Sequence, residues 1–185
     1  MNERLAKLRA RILEKGLEAL LISHPVNRRY VTGFTGTAGM ALITEKDAVV
    51  VTDFRYVTQV KEQAPHFEVY CHDGNIFEGV ADLCRQRGIE ELAFEQDHLT
   101  YGEVGKLRKA MGGKRTIPVS QMVEPLRVVK DAEEQDMIRK AAAMADRAFE
   151  QILEELRPGR TEREIALSLE IMMREMGADG SAFDM

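Results

Sequence analysis

Tryptophan is absent from the sequence, which also has only two cysteines and four histidines. Cys71 and Cys84 form no CxxC or Cys/His ligand pattern, so neither a disulfide framework nor a cysteine zinc site is expected, only two reduced thiols. His24, His66, His72 and His98 are scattered, with no HxH or HExxH pairing to put two imidazoles on one metal. In "CHD", residues 71–73, a thiol, an imidazole and a carboxylate are adjacent, but neighbours on a strand point to opposite faces. Ser23, Ser120, Ser168 and Ser181 lack the context of a nucleophile elbow. No apolar run approaches the roughly eighteen residues that span a bilayer, which argues against a membrane role. The opening "MNERLAKLRARILEKG" lacks the apolar h-region and cleavage site of a secretory signal, so the cytoplasm is the expected compartment. An excess of one charge is lacking too. The 31 acidic and 26 basic residues are mixed along the chain, net −5, leaving no basic stripe for nucleic acid and no acidic tail.

The chain has 185 residues, 44% hydrophobic and 31% charged, the composition of a soluble globular protein with room for one domain and part of another. Leu5, Leu8, Ile12 and Leu13 recur at helical spacing up to Gly16, and "EALLIS" reads as a buried strand. A short helix from Pro25 to about Thr32 breaks at Gly33. "MALIT" and "AVVVTDF" flank a polar turn and read as a hairpin. "RYVTQVKEQAP" is helical until Pro65, and "FEVYCHD" is a strand. "IFEGVADLCRQRG" is an amphipathic helix with Ile76, Val80, Leu83 and Cys84 on one face. Strand "ELAFEQ", helix "YGEVGKLRKAM" and strand "TIPVS" repeat the alternation. The fold class is therefore α/β, a mixed sheet flanked by helices. Beyond "EPLRVVK" one long helix is predicted from Asp131 to Leu156, with Ile138, Ala141, Ala145, Phe149, Ile152 and Leu156 on its apolar face. A second follows Thr161, with Ile165, Leu169, Met172 and Met176 on its apolar face, a core stripe or, in the Met-rich run "EIMMREM", a partner-binding surface. Asp131 with Glu134 and Thr161 with Glu164 fit capping boxes. Two such helices cannot cover both apolar faces alone, so they are expected to begin a second domain.

Gly33, Gly36 and Gly39 in "GFTGTAG" open a strand rather than a helix, which fails the context of a phosphate loop. Glycine here permits positive φ, close backbone approach and flexibility; Thr35 and Thr37 are the loop's side-chain hydroxyls. "TDFRY" gathers Asp53, Arg55 and Tyr56 between a strand and a helix. Asp53 can cap that helix, and Arg55 can pair with Asp53 or offer its guanidinium to a ligand carboxylate.

"NRRYVTGFTGTAG", "VVVTDFRYVTQV", "RVVKDAEEQDMIRKAAAMAD", "RPGRTEREIA" and "GADGSAFD", in this order, resemble the creatinase/prolidase/aminopeptidase P family of proline-specific metallopeptidases. The resemblance covers essentially the whole chain. It implies a creatinase-type N-terminal domain over residues 1–127 and, over 128–185, the start of a catalytic "pita-bread" α+β domain. In the family that second domain holds two divalent metals, usually manganese, cobalt or zinc, on two Asp, one His and two Glu. A bridging hydroxide attacks the bond before proline. All those ligands lie beyond the point matched by "SAFD", so this chain is expected to carry no metal site and to be inactive alone.

In dimeric relatives the loop matching "GFTGTAG" reaches toward the partner's catalytic pocket, which makes Thr35, Gly36 and Thr37 candidates for a substrate-entrance loop. Creatinase places an arginine in this loop for its substrate's carboxylate, where this sequence has Thr37, an argument for a peptidase. The resemblance thus implies a homodimeric Xaa-Pro dipeptidase or aminopeptidase acting on proline-containing peptides, with no nucleic-acid partner. The alternative is a non-catalytic protein-binding module, since relatives of this fold have lost the metal ligands and bind proteins instead.

Overall fold

The structure, a computed structural model, describes residues 3–183. It divides into two compact units, one ending at Val129 and the other beginning at Lys130. In the first unit β1 (Ala19–Ile22), β2 (Met40–Thr44), β3 (Ala48–Thr52), β4 (Glu68–Cys71), β5 (Glu91–Glu95) and β6 (Arg115–Val119) form one sheet in the order β4-β3-β2-β1-β5-β6. β2 is antiparallel to β1 and β3, and the other neighbouring pairs are parallel. The predicted mixed α/β sheet is therefore present.

The middle strands are apolar at almost every position because both of their faces are covered. Ala19 and Leu21 of β1, Leu42 of β2, Val49 and Val51 of β3 and Leu92 and Phe94 of β5 face a core closed by α4 (Ile76–Gln86) and α5 (Tyr101–Met111). The alternate residues Leu20, Ile22, Ala41, Ile43, Val50 and Ala93 face α1 (Glu3–Glu14), α2 (Pro25–Thr32) and α3 (Val57–Gln63). Each such large side chain, fully withdrawn from water, contributes about 1.5–3 kcal/mol. The edge strands β4 and β6 are only partly covered, and β6 carries Pro118, a residue that sheets accept at their edges.

Local signals set the helix ends. Thr100 and Glu103 cap α5 reciprocally, and Gly112 closes it at φ 61°. α2 begins with Pro25 in its first turn, and Gly33 ends it at φ 83°, donating its amide to the Arg29 carbonyl. The stretch "RYVTQVKEQ" is not one helix: Phe54–Tyr56 forms a single 3-10 turn, and α3 begins at Val57. A further short helix, α6 (Glu124–Val128), follows β6; five residues are too few to show a helical period.

In the second unit α7 (Ala132–Ile152) and α8 (Glu162–Glu175) pack against each other. Both start with the expected reciprocal caps, from Asp131 and Glu134 and from Thr161 and Glu164. α7 ends at Ile152, short of the predicted Leu156, in turns through Glu155. Arg160 holds the connection, pairing with Glu155 at 3.1 Å and donating to Ser168 Oγ at 3.0 Å. Ile165, Leu169, Met172 and Met176 are half-buried. On α7, Ala148 and Ile152 are buried, whereas Ile138 and Phe149 of the predicted apolar face are 55% and 61% exposed.

Leu42 is wholly buried in the middle of the sheet. Leu42→Ala is expected to destabilise the first unit by about 2–5 kcal/mol, measured as a shift in its urea unfolding midpoint, through lost burial and the cavity left behind.

Candidate functional site

The loop between α2 and β2, residues 33–39, is bound tightly to its own unit. A Cβ on Gly36 would lie 2.2 Å from Cζ of Phe34 and 2.7 Å from Cδ1 of Tyr56, so only glycine fits without displacing an aromatic ring. Gly39 adopts φ 147°, a conformation L side chains avoid. Phe34 is fully buried and meets Tyr56 edge to face at 5.8 Å between centroids. Close backbone approach, expected from the glycines, is present, but the expected flexibility is replaced by a set of tethers. Thr52 Oγ1 donates to the Ala38 carbonyl at 2.8 Å. From α2, the buried Arg28 donates through its two terminal nitrogens to the carbonyls of Gly36 and Gly39.

The loop's outer surface gathers the residues singled out in two separate stretches of sequence. Thr37 Oγ1 lies 2.7 Å from the Tyr56 hydroxyl. The Thr35 amide and hydroxyl donate to Gln63 Oε1 at 2.9 and 3.1 Å, and Gln59 donates to Thr35 Oγ1 at 3.1 Å. Asp53 caps the 3-10 turn, accepting from the Arg55 amide at 3.0 Å. It also receives the Arg55 guanidinium in a fork, at 2.9 Å from Nε and 2.8 Å from Nη2. That guanidinium stands 5.3 Å from the centre of the Tyr56 ring. The Arg55 side-chain bond holds the Asp53 carboxyl at about 2, and Asp53 in turn raises Arg55 above its ordinary value. Arg55, engaged with Asp53, is thus an internal ion pair in this structure. The patch offers hydroxyls and amides, groups that hydrogen-bond a neutral peptide.

Sequence reasoning missed Arg28, Gln59 and Gln63. A signal existed for the first: Asn27, Arg28, Val31 and Thr32 are the buried face of α2, and their spacing places two polar side chains one turn before two others on that face.

A second polar cluster lies where β1, β5 and β6 end. Glu95, 7% exposed, accepts from the amides of Ser23 at 2.7 Å and His24 at 2.6 Å and from Asn27 Nδ2 at 2.7 Å. Asn27 also donates to Glu124 at 2.7 Å and accepts from Arg127 at 2.9 Å. Burial pushes the Glu124 carboxyl up, but the Asn27 bond, amide bonds and Arg127 outweigh it and leave it below its ordinary value. His24 and His98, read as scattered, stand edge to face at 4.9 Å beside this cluster, with His98 Nδ1 3.2 Å from Ser23 Oγ. Every buried member of the Glu95–Asn27 pair is bonded within the protein, so the cluster serves as a tie between elements. Among the described residues no group of three His, Cys, Asp or Glu is arranged to hold a metal ion. Cys71 is exposed and Cys84 buried, both as free thiols, and burial pushes Cys84 up to about 11.

The Asp53–Arg55 pair has a measurable signature. The folded-state pKa of Asp53 lies below its ordinary 3.8, so the pair is fully formed above about pH 4 and is lost as pH falls toward 2. Carbon-detected NMR titration is expected to give an Asp53 midpoint near 2, returning toward 3.8 in Arg55→Ala.

A model of the creatinase/prolidase N-terminal domain matches residues 4–129, and one of metallopeptidase family M24 matches residues 136–185. An uncharacterized peptidase, YqhT, of Bacillus subtilis is 41% identical over 98% of this chain and 52% of its own length. The solved Xaa-Pro dipeptidase from Bacillus anthracis superposes with a TM-score of 0.93 at 42% identity, over 98% of this chain and 51% of that one. The X-Pro aminopeptidase from Thermotoga maritima does so with 0.85 at 32% identity, over 91% and 49%. No described helix is long and apolar enough to cross a membrane. The chain spans about half the length of these relatives, and it belongs to the creatinase/prolidase family, whose N-terminal domain it carries.

Proposed function

We propose that the full-length protein is a cytoplasmic, metal-dependent Xaa-Pro peptidase and that this chain supplies the frame of its active-site entrance. Residues 1–127 act as the N-terminal domain, and residues 128–185 open the catalytic domain. The two divalent ions, manganese, cobalt or zinc, are held by residues outside this chain and supply the activated hydroxide. The protein works as a homodimer, with residues 35–37 of one protomer facing the catalytic pocket of its partner. One observation carries the reading: the exposed Thr35, Thr37 and Arg55 and the half-buried Asp53 and Tyr56, from two stretches of sequence, form one hydrogen-bonding patch around the buried Gly36. Its neutral hydroxyls and amides suit peptide backbone, and its fixed geometry suits selection among substrates. Names of relatives include both a dipeptidase and an aminopeptidase, so both substrate lengths belong in the assay.

The full-length protein, stripped by chelation and reloaded with manganese, cobalt or zinc, is expected to cleave Xaa-Pro peptides and to sediment as a dimer. Thr37→Arg removes the bond to Tyr56 and adds a cation beside Arg55. It is expected to raise KM about tenfold, or to reorder preference between dipeptides and longer peptides, with kcat and melting temperature little changed. A dimeric, active variant with wild-type kinetics on every substrate would refute the entrance role. No hydrolysis with any of the three metals would refute the peptidase and favour a protein-binding module.

A further inference from the structure

We propose that Arg28 is the positioning residue of the entrance loop, fixing from beneath the conformation in which residues 35–37 meet substrate. This rests on the entrance reading above. Arg28 is 3% exposed on the inner face of α2. Its guanidinium reaches the carbonyls of Gly36 and Gly39, which bracket Thr37 and Ala38, and its carbon centre stands 4.9 Å from the middle of the buried Phe34 ring. Two carbonyls at one place are a fork acceptor. A planar guanidinium satisfies both at once, which an ammonium on a single point does not.

Burying this cation is unfavourable, and it lowers the Arg28 pKa from its ordinary value. Among the described residues Nε has no partner. A position that only needed filling would be met by an apolar side chain of similar volume, without that penalty. What the guanidinium adds is the geometry of the loop. Of the other tethers, the Thr52 bond to the Ala38 carbonyl is part-buried, whereas the Thr37–Tyr56 and Thr35–Gln63 bonds at the tip are exposed and compete with water.

Arg28 in turn has little slack. Its carbonyl accepts from Thr32 Oγ1 at 2.9 Å, and the same hydroxyl accepts from the Phe34 amide at 2.9 Å. Its neighbour Asn27 is bonded to Glu95 and Glu124. The helix that carries the fork is therefore fixed at both ends, and the loop is preorganised, so that substrate does not have to order it on binding.

The test combines loop mobility with kinetics. In the 185-residue chain, hydrogen exchange at the hydrogen-bonded loop amides of Phe34 and Thr35 is expected to quicken on the order of tenfold in Arg28→Met, with the amides of β5 and α5 unchanged. In the full-length protein the same substitution is expected to raise KM for an alanyl-prolyl dipeptide about fivefold with kcat within about twofold of wild type. Arg28→Lys keeps charge and volume but reaches only one carbonyl, so it falls between the two; it also carries the test should Arg28→Met fail to fold. Unchanged loop exchange in the folded variants overturns the positioning role. A mobile loop with unchanged KM leaves Arg28 as the anchor of the loop and overturns the entrance reading on which its function rests.

Discussion

The carboxylate of Glu95, buried where β5 ends, sets the position of α2, and most of the polar architecture of the first unit follows from it. It takes the amides of Ser23 and His24, the residues that lead out of β1, together with the side chain of Asn27. A buried carboxylate is tolerable only with such a full complement of donors, and each missing one would cost about 1–3 kcal/mol. An eight-residue helix has almost no stability of its own. α2 therefore persists because its first turn is tied to the sheet, its inner face is packed, and Gly33 closes its last turn.

From that fixed helix two grips extend. Asn27 and Tyr30 hold the segment around α6: Asn27 through Glu124 and Arg127, and the Tyr30 hydroxyl by donating to the Leu126 carbonyl at 2.8 Å. Arg11 of α1 adds bonds to the carbonyls of Met122 and Gln121, both at 3.1 Å. Gln121 is in the left-handed region at φ 55°, a strained position for a residue with a side chain, and the surrounding bonds fix it there. Arg28 makes the second grip, on the loop. The run "NRRYVTGF" is thus dense in consequence: Asn27, Arg28 and Tyr30 each reach a segment outside α2, while Thr32 and Gly33 close the end of the helix itself.

How much of this was legible depends on the range of the interaction. β1, β2, β3 and β5 were readable because burial on both faces leaves an unbroken apolar run, and α5 because Thr100 and Gly112 mark its ends locally. The starts of α7 and α8 were readable for the same reason. The end of α7 was misjudged because Leu156 continues the apolar period although the helix has stopped at Ile152, and periodicity does not register turns that keep the spacing. The family was legible from ordered motifs. Pairings were not: nothing local shows that Thr37 meets Tyr56 or that His24 meets His98. Sheet register decides these: β2 and β3 pair with Met40 opposite Val51 and so bring the loop before β2 over the turn after β3, and β1 runs parallel to β5 with Leu21 opposite Phe94, which brings the residues after both strands together.

That register explains why the two stretches form one surface. The hairpin places residues 35–38 beside 52–56, and the small volume of Gly36 lets the Phe34 and Tyr56 rings close under the loop. A bulkier residue at 36 would lift the loop off this base and separate Thr37 from the Tyr56 hydroxyl. The glycines therefore act here through their lack of volume and their access to positive φ, and the loop they build is held still. In the proposed entrance role, a mobile loop would lose, on meeting substrate, conformational entropy that a tethered loop has already surrendered on folding. Selectivity in such a patch comes from matching fixed hydroxyls and amides to the polar groups of a peptide, and a mismatched ligand leaves those groups without partners.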